Sequence, residues 1–455
     1  MNTDKLTTLA LADMMLATDG SMDSLVGACH RVFDAAQPWS PVICAALVER
    51  TGENFHYFSR HELADILLQL LGRGFNDYDE DEDEEEEDSP PFIKLPEVRR
   101  YCLDQPIRPP KPAWLSAIAL PDLSTVGDLA NWLNEPVGAL AWFADQWRLP
   151  GDELSRLQNY HYRWIPKRSG GLRLIEIPKA RLRRIQQKIL RQILDHAPPH
   201  PSAHGFRRGH SSVTHAALHA GQQVVVRMDL KDFFPSIRIS RIHALFERLG
   251  YPPSVAGILA RICVNRAPRD IFRDKQAGGS LPWTERQALK SPHLPQGSPC
   301  SPALANLCAY RLDIRLESLA QSLGACYSRY ADDLAFSGGP DLARAADRFH
   351  IQVAAIALEE GFCVNTRKTR VMRQGVRQQV TGVVVNAHPN IARGDYDKLK
   401  ATLTNCVRHG PASQNRNNHP DFRAYLAGRI AHVKMVNANR AVKLQRLLEA
   451  VSWTT

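Results

Sequence analysis

The stretch "SRYADDLAFSG", residues 328–338, sets two carboxylates, Asp332 and Asp333, side by side among apolar and aromatic neighbours. Adjacent acids ordinarily sit in solvated loops. Here "ACYSRY" and "LAFSG" read as the two strands of a hairpin, closed by a tight turn of Ala331, Asp332 and Asp333. A Tyr-x-Asp-Asp tetrapeptide arises by chance in roughly 5% of chains this long, so its surroundings have to carry the reading. A third acid lies upstream. In "VVVRMDLKDFFPSI" a β-branched run places Asp229 near a strand end, and Pro235 stops the strand from continuing. The plainer alternative is a strand that simply terminates at a turn.

Three carboxylates brought from two strands into a half-buried pocket repel one another unless cations neutralise them. Mg²⁺ suits such a site, because it takes carboxylate and phosphate oxygens and keeps several waters. Two such ions roughly 4 Å apart can activate a 3′-hydroxyl and stabilise a leaving pyrophosphate. The expectation is therefore a platform of Asp229, Asp332 and Asp333 for two Mg²⁺ ions, with Mn²⁺ as the alternative metal.

The composition is compatible with this chemistry. At 455 residues the chain exceeds one simple core, and 44% hydrophobic with 23% charged residues is ordinary for a soluble protein. The net charge is +9, but every residue from Asp77 to Asp88 except Tyr78 is acidic, so the remainder carries +20. Such a body points to a polyanionic partner, nucleic acid before an anionic membrane surface. Nine scattered cysteines without zinc-like spacing read as reduced thiols. Neither a secretory leader nor a membrane-length apolar run is evident, so a soluble cytoplasmic protein is expected.

Outward from the acids, residues 1–76 read as a helical N-terminal domain, with a capping box at Ser59 and Glu62 opening its clearest helix. Residues 77–119, acidic and then proline-rich, read as a linker; the acidic run is a solvated spacer or a mimic of nucleic acid on the basic body. Residues 120–390 form the main body and 391–455 a helical closing segment. Within the body, residues 160–166 and 172–178 alternate as strands around a turn containing Gly170 and Gly171. Lys167, Arg168 and Arg173 crowd its tip, able to close on phosphates or merely to be solvated. In "SPHLPQGSPCSPALANLCAYRLD", Pro295, Gln296 and Gly297 make a turn and Ser301 to Asp313 a helix. Gly297 permits close approach of a backbone or a nucleotide, and Gln296 can bond a sugar or base edge. Lys368 follows in a basic loop, within reach of departing phosphates or simply solvated.

The order of the Asp229 block, "LPQGSPCSP", "YADD", "GFCVNTRKT" and "VTGVVVN" resembles the palm of reverse transcriptases across roughly residues 120–450. The resemblance implies an α+β right-hand polymerase of fingers, palm and thumb, behind the small helical N-terminal domain. It assigns Asp229, Asp332 and Asp333 to metal binding and Lys368 to pyrophosphate release. It gives Lys167, Arg173, Gln296 and Gly297 to the incoming deoxynucleotide, and Phe234 to exclusion of a ribose 2′-hydroxyl. The bacterial retron branch is most similar, through Val380-Thr381-Gly382 and "AHGFRRGHSSVTHAALHA", where His215 stands in place of that branch's usual Asn. That resemblance implies nucleic-acid contacts at Arg207, Arg208, His219 and Thr381, and thumb contacts at Arg429, His432 and Lys434. It further implies copying of a structured non-coding RNA, primed from a guanosine 2′-hydroxyl, into single-stranded DNA joined to that RNA (msDNA). A role in anti-phage defence beside an effector or toxin protein, without membrane attachment, goes with it. No C-terminal endonuclease or zinc domain is evident and few residues remain after the thumb, which argues against a complete mobile group II intron protein. A reverse transcriptase of another branch, or an idle RNA-binding scaffold, remain the rival readings.

Overall fold

In a computed structural model of the chain, the described residues are 3–18, 20–52, 55, 58–72, 95–99, 118–144, 158–167, 170–273 and 281–453. The acidic run and Arg168 lie outside them. The chain divides into two compact units, Met1–Pro106 and Ile107–Thr455.

The first unit is helical, with helices Thr3–Leu16, Met22–Phe33, Ser40–Thr51 and Arg60–Leu70 around a core that includes Leu11, Leu25, Leu47 and Leu67. Ser59 caps the last of these: its hydroxyl accepts from the Glu62 amide while the Glu62 carboxylate accepts from the Ser59 amide.

The second unit is built on an antiparallel sheet. Its central strand β3 (Val224–Lys231) pairs along one edge with β5 (Asp333–Gly338), which in turn pairs with β4 (Cys326–Tyr330). The other edge of β3 carries two short strands end to end, β6 (Cys363–Val364) and β7 (Arg370–Arg373). The β-branched run Val224–Val226 suits this central position, where all three are fully buried. Alternation then sorts the side chains. Val224, Val226, Met228, Leu334 and Phe336 join the main core, beneath helices Tyr310–Gln321 and Pro340–Glu359. Val225 and Ala335 join a smaller cluster with Val380, Val383 and Val385 on the opposite face. Asp229 and Asp333 share the parity of that opposite face, as does Arg227. A one-residue slip of register would turn all three into the core.

Three further pieces frame the sheet. The hairpin of β1 (Tyr160–Pro166) and β2 (Leu172–Pro178) has the expected bounds, and Gly170 and Gly171 both take positive φ in its turn. A second hairpin, β8 (Gln379–Val380) and β9 (Val383–Val384), turns through Thr381 and Gly382, both at positive φ. Helices Arg393–His409, Phe422–Val436 and Ala438–Glu449 enclose a separate C-terminal cluster of Leu399, Leu403, Leu426, Ile430 and Leu444. The expected single helix from Ser301 to Asp313 is two, Ser301–Cys308 and Tyr310–Gln321, separated at Ala309.

Candidate active site

Register brings the acids together. Asp229 and Asp333 are direct partners across β3 and β5, and Asp333 also faces Tyr330 across the hairpin. Asp333 therefore belongs to the strand, and the turn is Ala331 and Asp332 alone. Ala331 takes φ +57, the sign that a type II′ turn requires of its first central residue. Two bonds to its backbone carbonyls fix the turn: the Leu230 amide donates to Asp332 O at 2.8 Å, and the Arg329 side chain donates from Nη1 to Ala331 O at 3.1 Å.

Charge is only partly balanced at this point. Lys368 Nζ lies 2.9 Å from both oxygens of Asp229. It arrives there because the Thr366–Lys368 turn joins β6 to β7 alongside β3, with the Asn365 amide donating to Asp229 O at 2.7 Å. Arg227, two residues before Asp229 on the same face, holds Asp333 Oδ1 with Nη2 at 2.8 Å and Nε at 3.2 Å. Two cations thus face three carboxylates. Burial, then the charges of Asp229 and Asp333, push the Asp332 carboxyl up to about 6, with Lys368 offsetting only part. As the side chains stand, no three carboxylate, His or Cys donors among the described residues converge on one metal position. The donor chemistry nonetheless fits a hard divalent ion. The acids are oxygen donors, they crowd one another, and an ammonium occupies Asp229 where a cation is needed. Asp229, Asp332 and Asp333 would hold the metal.

A cleft of about 740 Å³, open solvent included, adjoins Asp332. Lys167 and Arg173 line it from the β1–β2 hairpin, Phe234 from the turn after β3, and Gln296 from the loop before Ser301. Five residues expected to serve one substrate, drawn from four parts of the chain, thus line one cavity. Gly297 packs closely against a neighbouring strand. A Cβ there would sit 2.5 Å from Glu176 O, so the glycine admits the close approach of the β2 backbone, at φ +134.

Buried polar groups that sequence reasoning missed support these walls. Glu176 on β2 accepts from His293 Nε2 at 3.0 Å and from Asn265 Nδ2 at 2.8 Å, and its backbone amide donates to Gln296 O at 2.8 Å. Burial opposes a charged His293 ring, but the Glu176 carboxylate outweighs it and raises the ring's pKa. This ties the basic hairpin to the Gln296 loop. Arg329, fully buried on the helix side of β4, grips Asp313 with Nε at 2.8 Å and Nη2 at 2.6 Å, and Asn306 with Nη1 at 3.0 Å. Its bond to Ala331 O therefore anchors the acid turn to two helices. Gly205 packs against the same turn, where a Cβ would meet Ala331 N at 2.6 Å. A usable signal existed for Arg227 alone, which shares alternation parity with Asp229; the others depend on contacts between different elements, 16 positions apart for Arg329 and Asp313 and 117 for Glu176 and His293.

The expected nucleic-acid contacts fare differently. Arg207 and Arg208 lie on the 203–209 loop seated on the acid hairpin; Arg208 is 96% exposed at the side chain. His219 is a correction. It is fully buried, and its two ring nitrogens reach Ser337 Oγ and Ser328 Oγ, each at 2.7 Å. It pins β4 to β5 and offers nothing to a polyanion. Thr381 spends its hydroxyl on Ser212 O at 3.1 Å. His215 is buried between the rings of Tyr330 and His219. Burial first, then neighbouring positive groups, lowers His204 to about 4, His215 to about 3 and His219 to about 4, so all three are neutral at pH 7. In the C-terminal cluster, Arg429 is half-buried, while His432 and Lys434 are exposed on the same helix. Arg429 and His432 share a face, and Lys434 lies well round the helix from them.

Comparison with known proteins now defines the class. Residues 165–388 match the family model described as reverse transcriptase (RNA-dependent DNA polymerase). The retron Mx65 reverse transcriptase of Myxococcus xanthus is 39% identical over 337 residues, 74% of this chain and 74% of that protein. The retron Mx162 reverse transcriptase of the same organism is 38% identical over 280 residues, 60% of this chain and 55% of that protein. Among solved structures, telomerase from Candida albicans in complex with a fragment of telomeric RNA superposes with a TM-score of 0.32 at 12% identity, over 63% of this chain and 54% of that one. The chain belongs to the retron reverse transcriptases, RNA-directed DNA polymerases of α+β right-hand architecture. Their catalytic domain uses divalent metal ions. Among the described residues no helix is long and apolar enough to cross a membrane.

Proposed function

We propose that this enzyme copies part of a structured non-coding RNA into single-stranded DNA by two-metal nucleotidyl transfer at Asp229, Asp332 and Asp333. The observation that carries the reading is the register of Asp229 against Asp333, with Asp332 in the adjoining turn on the wall of the cleft that Lys167, Arg173, Phe234 and Gln296 also line. Bound magnesium would lower the pKa of the attacking hydroxyl and neutralise charge on the reacting phosphate. The chain's own residues do the rest. Lys167 and Arg173 hold the triphosphate of a deoxynucleotide, and Phe234 excludes a 2′-hydroxyl by contact. The hydroxyl gives its proton to solvent water, and its oxygen bonds to the α-phosphorus as the bond to pyrophosphate breaks. Lys368 holds a proton beside Asp229, and passing it to the leaving oxygen is the role its position in the motif implies. The division into residues 1–76, the linker 77–119, fingers and palm 120–390 and thumb 391–455 is part of this proposal. So are cytoplasmic location, a partner effector and service in anti-phage defence, all supported by kinship alone.

Primer extension on an RNA template with Mg²⁺, together with sequencing of nucleic acid that co-purifies with the protein, tests the reading. A branched RNA–DNA molecule from one locus is expected. Intron lariats or random-sequence DNA would move the enzyme to another branch, and no extension on any template would leave only an RNA-binding scaffold.

A further inference from the structure

Phe206 stands out among the residues around the acids. It takes φ +60, a left-handed conformation that bulky side chains rarely adopt. The residue is 49% exposed. The loop that carries it is firmly seated. Ala203 bridges Arg329, the His204 amide donates to Arg329 O at 2.7 Å, and Asn306 Nδ2 donates to Gly205 O at 2.8 Å. Gly205 lies against the Ala331 backbone with no room for a Cβ. The left-handed turn at Phe206 directs the ring back over the site, with its centroid 6.0 Å from Phe234 and 6.4 Å from Tyr330. Arg207 and Arg208 follow it. Packing alone does not explain an aromatic ring held in strain and left half open to water beside two basic residues. Strained residues that a rigid surround keeps in place cluster at ligand clamps.

We propose that Phe206 is a stacking platform for the nucleobase at the growing end of the strand, the one whose sugar carries the attacking hydroxyl. This rests on the proposed polymerase reading of the cleft. Phe234 borders the space for the incoming sugar, and Tyr330 immediately precedes the acid turn. A ring bridging the two faces the position one nucleotide back from the incoming one. Arg207 and Arg208 supply the charge that a polyanionic strand needs, and aromatic stacking accepts any base.

The test uses the full-length protein and an RNA template with an annealed DNA primer, first without nucleotides for binding and then with deoxynucleotides for extension. 2-Aminopurine is placed at the primer 3′ end or, separately, at the first templating position. Phe206→Ala and Phe206→Gly should raise the dissociation constant about tenfold, and Phe206→Trp should hold it within about twofold while quenching the terminal probe. The KM for deoxynucleotide should move less than about twofold. Phe206→Gly should melt no lower than the wild type, because glycine relieves the backbone strain. Unchanged affinity in Phe206→Ala, a tryptophan quench confined to the templating position, or a lower melting temperature for Phe206→Gly overturns the proposal. If the wild type never extends the primer, the polymerase reading itself fails. If it extends and Asp332→Asn stops it, yet the Phe206 variants behave as wild type, only the platform is wrong.

Discussion

Asp332 is the acid without its own counter-charge: Lys368 answers Asp229 and Arg227 answers Asp333. Its carboxyl, raised to about 6, is ionised at pH 8 at a cost to the metal-free fold. The sign follows from proton counting. Between about pH 4 and 6 the folded state binds the proton more tightly than the unfolded chain, so this group withdraws stability as pH rises. Asp332→Asn should therefore lose DNA synthesis by at least about a hundredfold and retain RNA binding. In EDTA at pH 8 it should be more stable than the wild type, by up to about 3 kcal/mol, since each pKa unit is about 1.4 kcal/mol. Urea titration of the two proteins checks this, and a less stable Asp332→Asn would refute the repulsion. Phe234 lines the cleft beside Asp332. Phe234→Ala should raise ribonucleotide insertion relative to deoxynucleotide insertion by roughly 10–100-fold, read from competing single-nucleotide extensions.

The acid hairpin is positioned by what lies behind it. Arg329 and Asp313 are both fully buried, and Tyr327 also donates to Asp313 at 2.7 Å. Removing one member leaves an uncompensated buried charge, which typically costs about 3–5 kcal/mol. Arg329→Met should destabilise the protein by that amount in chemical denaturation. It should also slow synthesis in the fraction that remains folded, because the bond to Ala331 O is lost. Full stability in this variant would mean that the network does not position the turn. The β1–β2 hairpin depends similarly on Glu176 and His293, two side chains 117 positions apart that meet in the core.

Over the whole molecule, pH acts through opposing groups. His204, His215 and His219 are held neutral, lowered to about 4, 3 and 4. An unfolded chain would bind those protons near pH 6.5, so stability is lost as pH falls from about 6.5 toward 4. Asp332 and His293 act in the opposite sense, Asp332 gaining and His293 keeping its proton on acidification. Three depressed histidines outweigh them. The melting temperature should fall steadily from pH 7 to pH 5 in metal-free buffer, and a flat or rising profile would show that the cluster is not buried as described.

The alternation of "VVVRMDLKD" and the paired acids of "SRYADDLAFSG" determined by themselves that a strand carries Asp229 and that a tight hairpin presents the acid pair, because period-two patterning and turn chemistry are local. The bounds of the β1–β2 hairpin were legible for the same reason, and motif order was enough to place the chain in its family. Only the tertiary structure decided that Asp333 is a strand residue in register with Asp229, that Lys368 and Arg227 neutralise two acids and leave the third, and that His219 is a buried brace. Those outcomes depend on which distant segments share a low-dielectric interior, where one charge or hydrogen bond outweighs any local preference.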